Sequence, residues 1–373
     1  MREDEEGFLY PLVDTTLCVN CGLCEKVCPV SHQANSREPL SVIAARNNDE
    51  KIRSQSSSGG IFTLLAEKVI REGGMVFGAR FNNHWEVIHD YTDSIEGIAA
   101  FRGSKYVQSN TGDCFKKAEY LLKQGRIVLY SGTPCQIAGL RNFLQREYDN
   151  LITVDVICHG VPSPFVWQKY LKEETACLFR RRKLFRPFSI NDIRIVGISF
   201  RDKIITGWKQ YSFALTFSDK RGDEFCYRKT HDENIFMRGF VSDLYLRPSC
   251  YNCPAKELKS GSDITIGDFW GIEHIMPHLD DNRGLCCLMV NTERGLKFVN
   301  GIDAVKHNAN YKDIVRYNPS IQHSAKIPAQ RVEFFTSLPQ KGMLHTTKQL
   351  TREPFILFCR NTIHRTLKRL GLR

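Results

Sequence analysis

Ile127-Val128-Leu129-Tyr130-Ser131-Gly132-Thr133-Pro134-Cys135-Gln136 is the stretch that decides the fold class. Residues 127 to 130 are an apolar run of strand length, and Ser-Gly-Thr then breaks it. Pro134 suits a helix start, where its missing N–H would be unpaired anyway, so a helix is predicted from Gln136 to Leu144. The pattern recurs at Leu151 to Ile157, a buried-looking strand that ends on Cys158-His159-Gly160 before a helix starting near Ser163. Upstream, Gly60 to Arg71 has helical spacing and Met75 to Phe81 reads as a strand. Such alternation predicts an α/β domain in which two strand ends present a cysteine to a loop, the place where ligands gather in these sheets. From Ile193 to Tyr227 the pattern alternates around Gly197, Gly207 and Gly222, which predicts antiparallel strands and hence a mixed sheet.

Working outward, residues 1–35 are read as a partial ferredoxin-like module and 36–56 as a polar linker. Residues 57–300 are the α/β domain, and 301–373 a C-terminal extension. Cys18, Cys21, Cys24, Cys28 and Pro29 have the spacing of a bacterial ferredoxin run, in which thiolates wrap the corners of a 4Fe-4S cluster. Zinc is the rival, although structural zinc sites normally separate two such knuckles by a longer loop. In two-cluster ferredoxins the fourth cysteine of a run serves the other cluster, so a single run leaves two incomplete sites. Cys250-Tyr251-Asn252-Cys253-Pro254 is a second close pair, compatible with zinc, a redox disulfide or half a cluster site. It needs two further ligands, and Cys135 and Cys158 are the best placed. The other cysteines, at 114, 177, 226, 286, 287 and 359, are expected to be buried.

With 373 residues, 42% hydrophobic and 25% charged, the composition is that of a globular protein, and no apolar run reaches spanning length. The acidic start Met1-Arg2-Glu3-Asp4-Glu5-Glu6 lacks the features of a secretory signal, so a cytoplasmic location is expected. There, clustered cysteines favour metal or redox chemistry over structural disulfides among the 14 present. The +11 charge concentrates at Arg180-Arg181-Arg182-Lys183 and in the last twenty residues. Phe355 to Arg373 reads as a basic amphipathic helix that either docks on its own domain or makes weak contact with the inner membrane surface. Nucleic acid is disfavoured as a partner, because the basic runs lack interleaved aromatics.

Three loops have the composition of a nucleotide-cofactor site. Ser56-Ser57-Ser58-Gly59-Gly60 leads into a helix and can offer amides and hydroxyls to a phosphate, or can be an ordinary N-cap. Arg102 to Gln108 adds cations and Tyr106. Gly267-Asp268-Phe269-Trp270-Gly271 places two aromatics between glycines, for a planar cofactor or for core packing.

Together with Gly103-Ser104-Lys105-Tyr106-Val107-Gln108, Gly132-Thr133-Pro134-Cys135-Gln136, Cys158-His159-Gly160-Val161-Pro162-Ser163 and Cys250-Tyr251-Asn252-Cys253, these segments resemble the coenzyme F420 hydrogenase/dehydrogenase beta-subunit family, in its bacterial branch with a fused ferredoxin module. The resemblance implies an iron-sulfur flavoprotein oxidoreductase that passes electrons between one or two 4Fe-4S clusters, FAD and a deazaflavin-like or other small acceptor. It implies Cys135, Cys158, Cys250 and Cys253 as inner-cluster ligands. It further implies Ser57, Ser58, Gly59, Gly60, Lys105, Tyr106, Gln108, Thr133 and Gln136 as cofactor contacts, with His159 and Lys256 as proton or charge partners. The partner is then a redox protein or small electron carrier. The alternative is a flavin-free electron-transfer adaptor, and a zinc-stabilised nucleic-acid binder is the reading from a third class.

Overall fold

The computed structural model describes residues 1–180 and 193–352; Arg181 to Lys183 of the basic run and the helix expected over 355–373 lie outside them. Strands β1 (Arg2–Glu3) and β2 (Leu9–Tyr10) pair only with each other. The main sheet uses β3 (Ser41–Asn47), β4 (Met75–Phe81), β5 (Val87–Thr92), β6 (Val128–Gly132) and β7 (Leu151–Val156). A separate antiparallel sheet follows, formed by β8 (Arg194–Asp202), β9 (Ser212–Ser218) and β10 (Glu224–Thr230). The chain then returns to the main sheet with β11 (Ile264–Asp268), β12 (Cys286–Val290) and β13 (Ala304–Ala309), giving the order β13-β3-β12-β11-β7-β6-β4-β5.

Strands β4, β6, β7 and β11 run parallel, and the remaining pairs are antiparallel. The sheet is therefore mixed, as expected. The antiparallel strands at 193–227, however, form their own sheet, and the mixing comes from β5, β12, β3 and β13.

Side-chain alternation shows why the parallel strands must be covered on both faces. Val76 and Leu129 point to one side and pack with Ile61, Leu65 and Val69 of the helix Ile61–Arg71. Met75, Phe77, Val128 and Tyr130 point to the other, against Ala118 and Leu122 of Cys114–Lys123 and Ile137 and Leu140 of Pro134–Leu144. A third, aromatic core joins the small sheet to the helices Pro164–Arg180, Ile235–Val241 and Arg331–Lys341 through Trp167, Phe213, Phe236 and Phe334.

Two boundaries differ from the sequence reading. Within the stretch read as a linker, Ala44 and Ala45 are fully buried in β3 between β12 and β13. β13 likewise carries the sheet into the region read as an extension. Polar flanks around the short run Val42-Ile43-Ala44-Ala45 concealed the first, and the half-exposed edge position of β13 concealed the second.

The cysteine run is tethered on either side. Upstream, Phe8 is fully buried, Ser163 Oγ donates to Glu6 O at 2.5 Å, and Arg331 forms a two-pronged ion pair with Glu6. Arg247 donates to Leu9 O at 3.1 Å and stands over the Tyr10 ring. Downstream, Asn142 donates to His32 O at 3.2 Å, and Arg37 to Leu258 O and Ser262 O at 3.0 and 2.5 Å.

Gly59 tests this packing most simply. A Cβ there would lie 2.6 Å from Ala45 O and 2.8 Å from Cys286 N, both of them backbone atoms of the main sheet. Gly59→Ala is expected to destabilise the protein by about 1–3 kcal/mol, read as a lowered midpoint in urea denaturation.

Candidate cofactor site

Four cysteines from three parts of the chain line one small cavity of about 40 Å³: Cys135, Cys158, Cys250 and Cys253. Cys135 is the second residue of the helix Pro134–Leu144, whose entry is fixed by a capping box. Thr133 N–H donates to Gln136 Oε1 at 2.9 Å, and Pro134 occupies the first turn. Cys158 follows β7, and Lys256 donates to its carbonyl and to Ser320 O, each at 2.7 Å. Cys250 lies in the turn Pro248–Asn252, where its sulfur accepts from Val161 N–H at 3.4 Å. Burial, reinforced by the neighbouring thiols, raises Cys158 well above the ordinary range and Cys250 to about 12. Cys135 is exposed as a residue, yet protein packed around it also raises its thiol. A metal group with strong thiolate affinity would replace these protons on binding. Among the described residues, no three His, Cys, Asp or Glu side chains converge on one point as ligands of a single ion do; these four instead stand around a space.

Val156 to Val161 form a wall shared with a much larger cleft of about 560 Å³. Its lining includes Ser57, Ser58, Gly60, Lys105, Tyr106, Thr133 and Gln136 of the expected cofactor contacts. Gly59 and Gln108 stand outside it. Gly59 packs against the sheet backbone and donates to Cys286 Sγ at 3.2 Å, while Gln108 accepts from Arg247 at 3.1 Å.

The two polar loops of the cleft are joined, since Ser104 N–H donates to Ser57 Oγ at 2.7 Å. Gly60, at φ +80°, is the N-cap of the helix Ile61–Arg71 and offers no side-chain bond to its first turn. The turn is therefore not an ordinary serine N-cap, and the first-turn amides beyond Ile61, whose N–H is directed at Cys286, keep their capacity for an anion. Among the described residues Lys105 Nζ has only the carbonyls of Ala100 and Arg102 as hydrogen-bond partners, each at 3.0 Å, and burial pulls its pKa down to about 7. Of the two aromatics in the Gly267–Gly271 segment, Phe269 is core and Trp270 lines the cleft.

Three site residues carried no signal in the sequence that was used. His89 on β5 is buried, its Nε2 bonded to Ser131 O at 3.0 Å and its Nδ1 to Ser109 Oγ at 2.9 Å, and Gln136 donates to the same Ser109 at 2.8 Å. A histidine at an inward position of an alternating strand was the available clue. Lys203 donates to Arg53 O, Ser58 O and Arg283 O at 2.8, 2.9 and 2.7 Å, clamping the serine turn. Arg201 meets Asp268 Oδ2 at 2.5 Å; it lies where the β8–β9 register slips between Ser199 and Asp202, and such irregularities re-aim side chains. His159, which lines both spaces, pairs with Asp243 at 2.5 Å.

Comparison with known families matches residues 42–116 to the N-terminal part, and 125–310 to the C-terminal part, of the coenzyme F420 hydrogenase/dehydrogenase beta subunit. Residues 11–31 match a 4Fe-4S binding domain. No curated protein matches the chain. Among solved structures, a chain of the F420-reducing [NiFe] hydrogenase complex from Methanosarcina barkeri, studied by xenon derivatization, is similar at 16% identity and a TM-score of 0.46. That similarity covers 76% of this chain and 90% of the other. Among the described residues no helix is long and apolar enough to cross a membrane.

Burial lowers the pKa of His89 to about 4, although its bond to Ser131 opposes the shift. The unfolded chain binds the proton that the folded state refuses, so His89 favours folding fully above pH ~6.5 and less as pH falls toward 4. The stability difference between wild type and His89→Gln is expected to shrink by about 3 kcal/mol across that window, measured by urea denaturation at each pH.

Proposed function

The chain belongs to the coenzyme F420 hydrogenase/dehydrogenase beta-subunit family and carries a 4Fe-4S binding domain, and on that premise we propose that it is an iron-sulfur flavoprotein oxidoreductase. Electrons pass between 4Fe-4S clusters, FAD and a small acceptor of deazaflavin type, or a redox partner protein. The observation that carries this reading is the wall from Val156 to Val161, one side of which faces four cysteines and the other a cleft of cofactor size.

When bound, a flavin exchanges electrons in pairs as hydride while an iron-sulfur cluster passes them singly, so adjacency of the two sites lets one protein convert between the modes. Cys135, Cys158, Cys250 and Cys253 hold the inner cluster, and Cys18, Cys21, Cys24 and Cys28 serve the outer relay. The donor set fits: four thiols stand around one space, and the carboxylate in its lining, Asp155, accepts from Ser260 Oγ at 2.5 Å. Cys18, Cys21 and Cys24 are exposed, which suits a relay that meets a partner.

In the cleft, Ser57, Ser58 and the first-turn amides after Gly60 take the pyrophosphate, with Lys105 as its cation. Pyrophosphate would restore the charge on Lys105 that burial now disfavours. The Thr133–Gln136–Ser109–His89 network fixes the cleft floor at the end of β6, so that the ring system meets a wall that does not move.

The test is iron, acid-labile sulfide, zinc and flavin content after anaerobic purification. Iron at about four per cluster together with FAD is the expected result. Iron without flavin leaves an electron-transfer adaptor, and zinc without iron rejects the proposal. Cys253→Ser is expected to lose about four irons per chain relative to wild type, and Lys105→Met to lose FAD with its iron retained.

A further inference from the structure

Arg201 is a buried cation whose donors are more than half unmet. Its residue exposure is 6%, and Nη1 alone is engaged, with Asp268 at 2.5 Å and with Tyr106 Oη at 3.4 Å. Nε and Nη2 are buried and have no hydrogen-bond partner among the described residues. These two nitrogens form one edge of the planar guanidinium, the edge that grips two adjacent acceptors at once. Leaving such a buried edge unmade is costly.

Its surroundings indicate what the edge is for. Arg201 lines the cleft beside Tyr106, Tyr211, Phe240, Asp268 and Trp270. Its guanidinium carbon stands 4.2 Å from the Tyr211 ring centre and 5.2 Å from that of Trp270, which stacks on Trp208 at 4.7 Å. Trp208 donates to Asp268 Oδ1 at 2.7 Å, so the carboxylate that anchors Arg201 is held from a second side. Burial alone would work against the charge, but Asp268, with Tyr106 and Tyr211, more than reverses it. The result is a fixed positive charge, presented among aromatics and separate from the serine turn and Lys105 that serve phosphate.

We propose that Arg201 is the flavin-tuning residue of the cleft, its Nε–Nη2 edge binding the N1–C2=O edge of the isoalloxazine ring and favouring the reduced ring over the oxidised one. The inference rests on the flavoprotein reading above. Addition of two electrons and one proton leaves the ring anionic, with the charge concentrated at N1 and O2. A cation held there strengthens binding of that state more than of the neutral oxidised state. Asp268 and Trp208 act as positioning residues, because they orient Arg201 without meeting the ring.

Three chains decide this: wild type, Arg201→Lys, and the double variant Arg201→Met/Asp268→Asn, which removes both charges and leaves no orphaned carboxylate. FAD affinity is measured oxidised and after reduction by dithionite, alongside the flavin midpoint potential, with iron content reporting an intact fold. The double variant is expected to lose at least tenfold in its preference for the reduced ring, which lowers the two-electron potential by about 30 mV. Arg201→Lys, which keeps charge and loses the edge, falls between. Bound FAD with an unchanged preference in both variants overturns the assignment of Arg201 while leaving the flavoprotein reading intact. A wild-type chain that binds no FAD overturns both.

Discussion

Parallel pairing of β6 with β7 and of β7 with β11 is the constraint on which the rest of the molecule depends. Gly132 lies opposite Asp155, and Val156 opposite Ile266. The chain therefore leaves all three strands at one edge. Cys135 and Cys158 follow their paired residues at the same spacing, and Asp268 ends β11 beside them. The hydrogen bond from Ile157 N–H to Ile266 O, 2.9 Å, extends the pairing past the end of β7 and fixes the stem of the Cys158 loop. A shift of register by one residue would reverse every side chain and scatter the site.

Six cations of the described residues have distinct tasks. Arg53 is buried against Asp281, and Lys203 is capped by three carbonyls; both hold the serine turn in place. Arg247 and Arg331 fasten the N-terminal segment. Lys105 and Arg201 differ from these four in lining the cleft, and Arg201 keeps an edge unpaired among the described residues. The first four build the scaffold, and the other two face the cleft.

Much of the site was legible in the sequence because its signals are local. A cysteine in the loop that follows an apolar strand, a proline at a helix start and a glycine-serine turn each act within one loop, and all three recur in the structure. What was hidden depends on contacts distant in sequence. His89 is separated from its partner Ser131 by most of two elements, and Arg201 gains its meaning only from Asp268 and from the bulge that turns it. Strand β3 was missed for a related reason: its apolar run is short, its flanks are polar, and its partners β12 and β13 lie about 240 residues or more downstream.

The ion pair between Glu6 and Arg331 joins residues 325 positions apart. During synthesis the Cys18–Cys28 run leaves the ribosome about 300 residues before Arg331, a side chain that seats its leading segment. Those cysteines therefore lack that anchorage until the strands of the main sheet have been made, and the segment is seated in an order opposite to that in which the chain is synthesised.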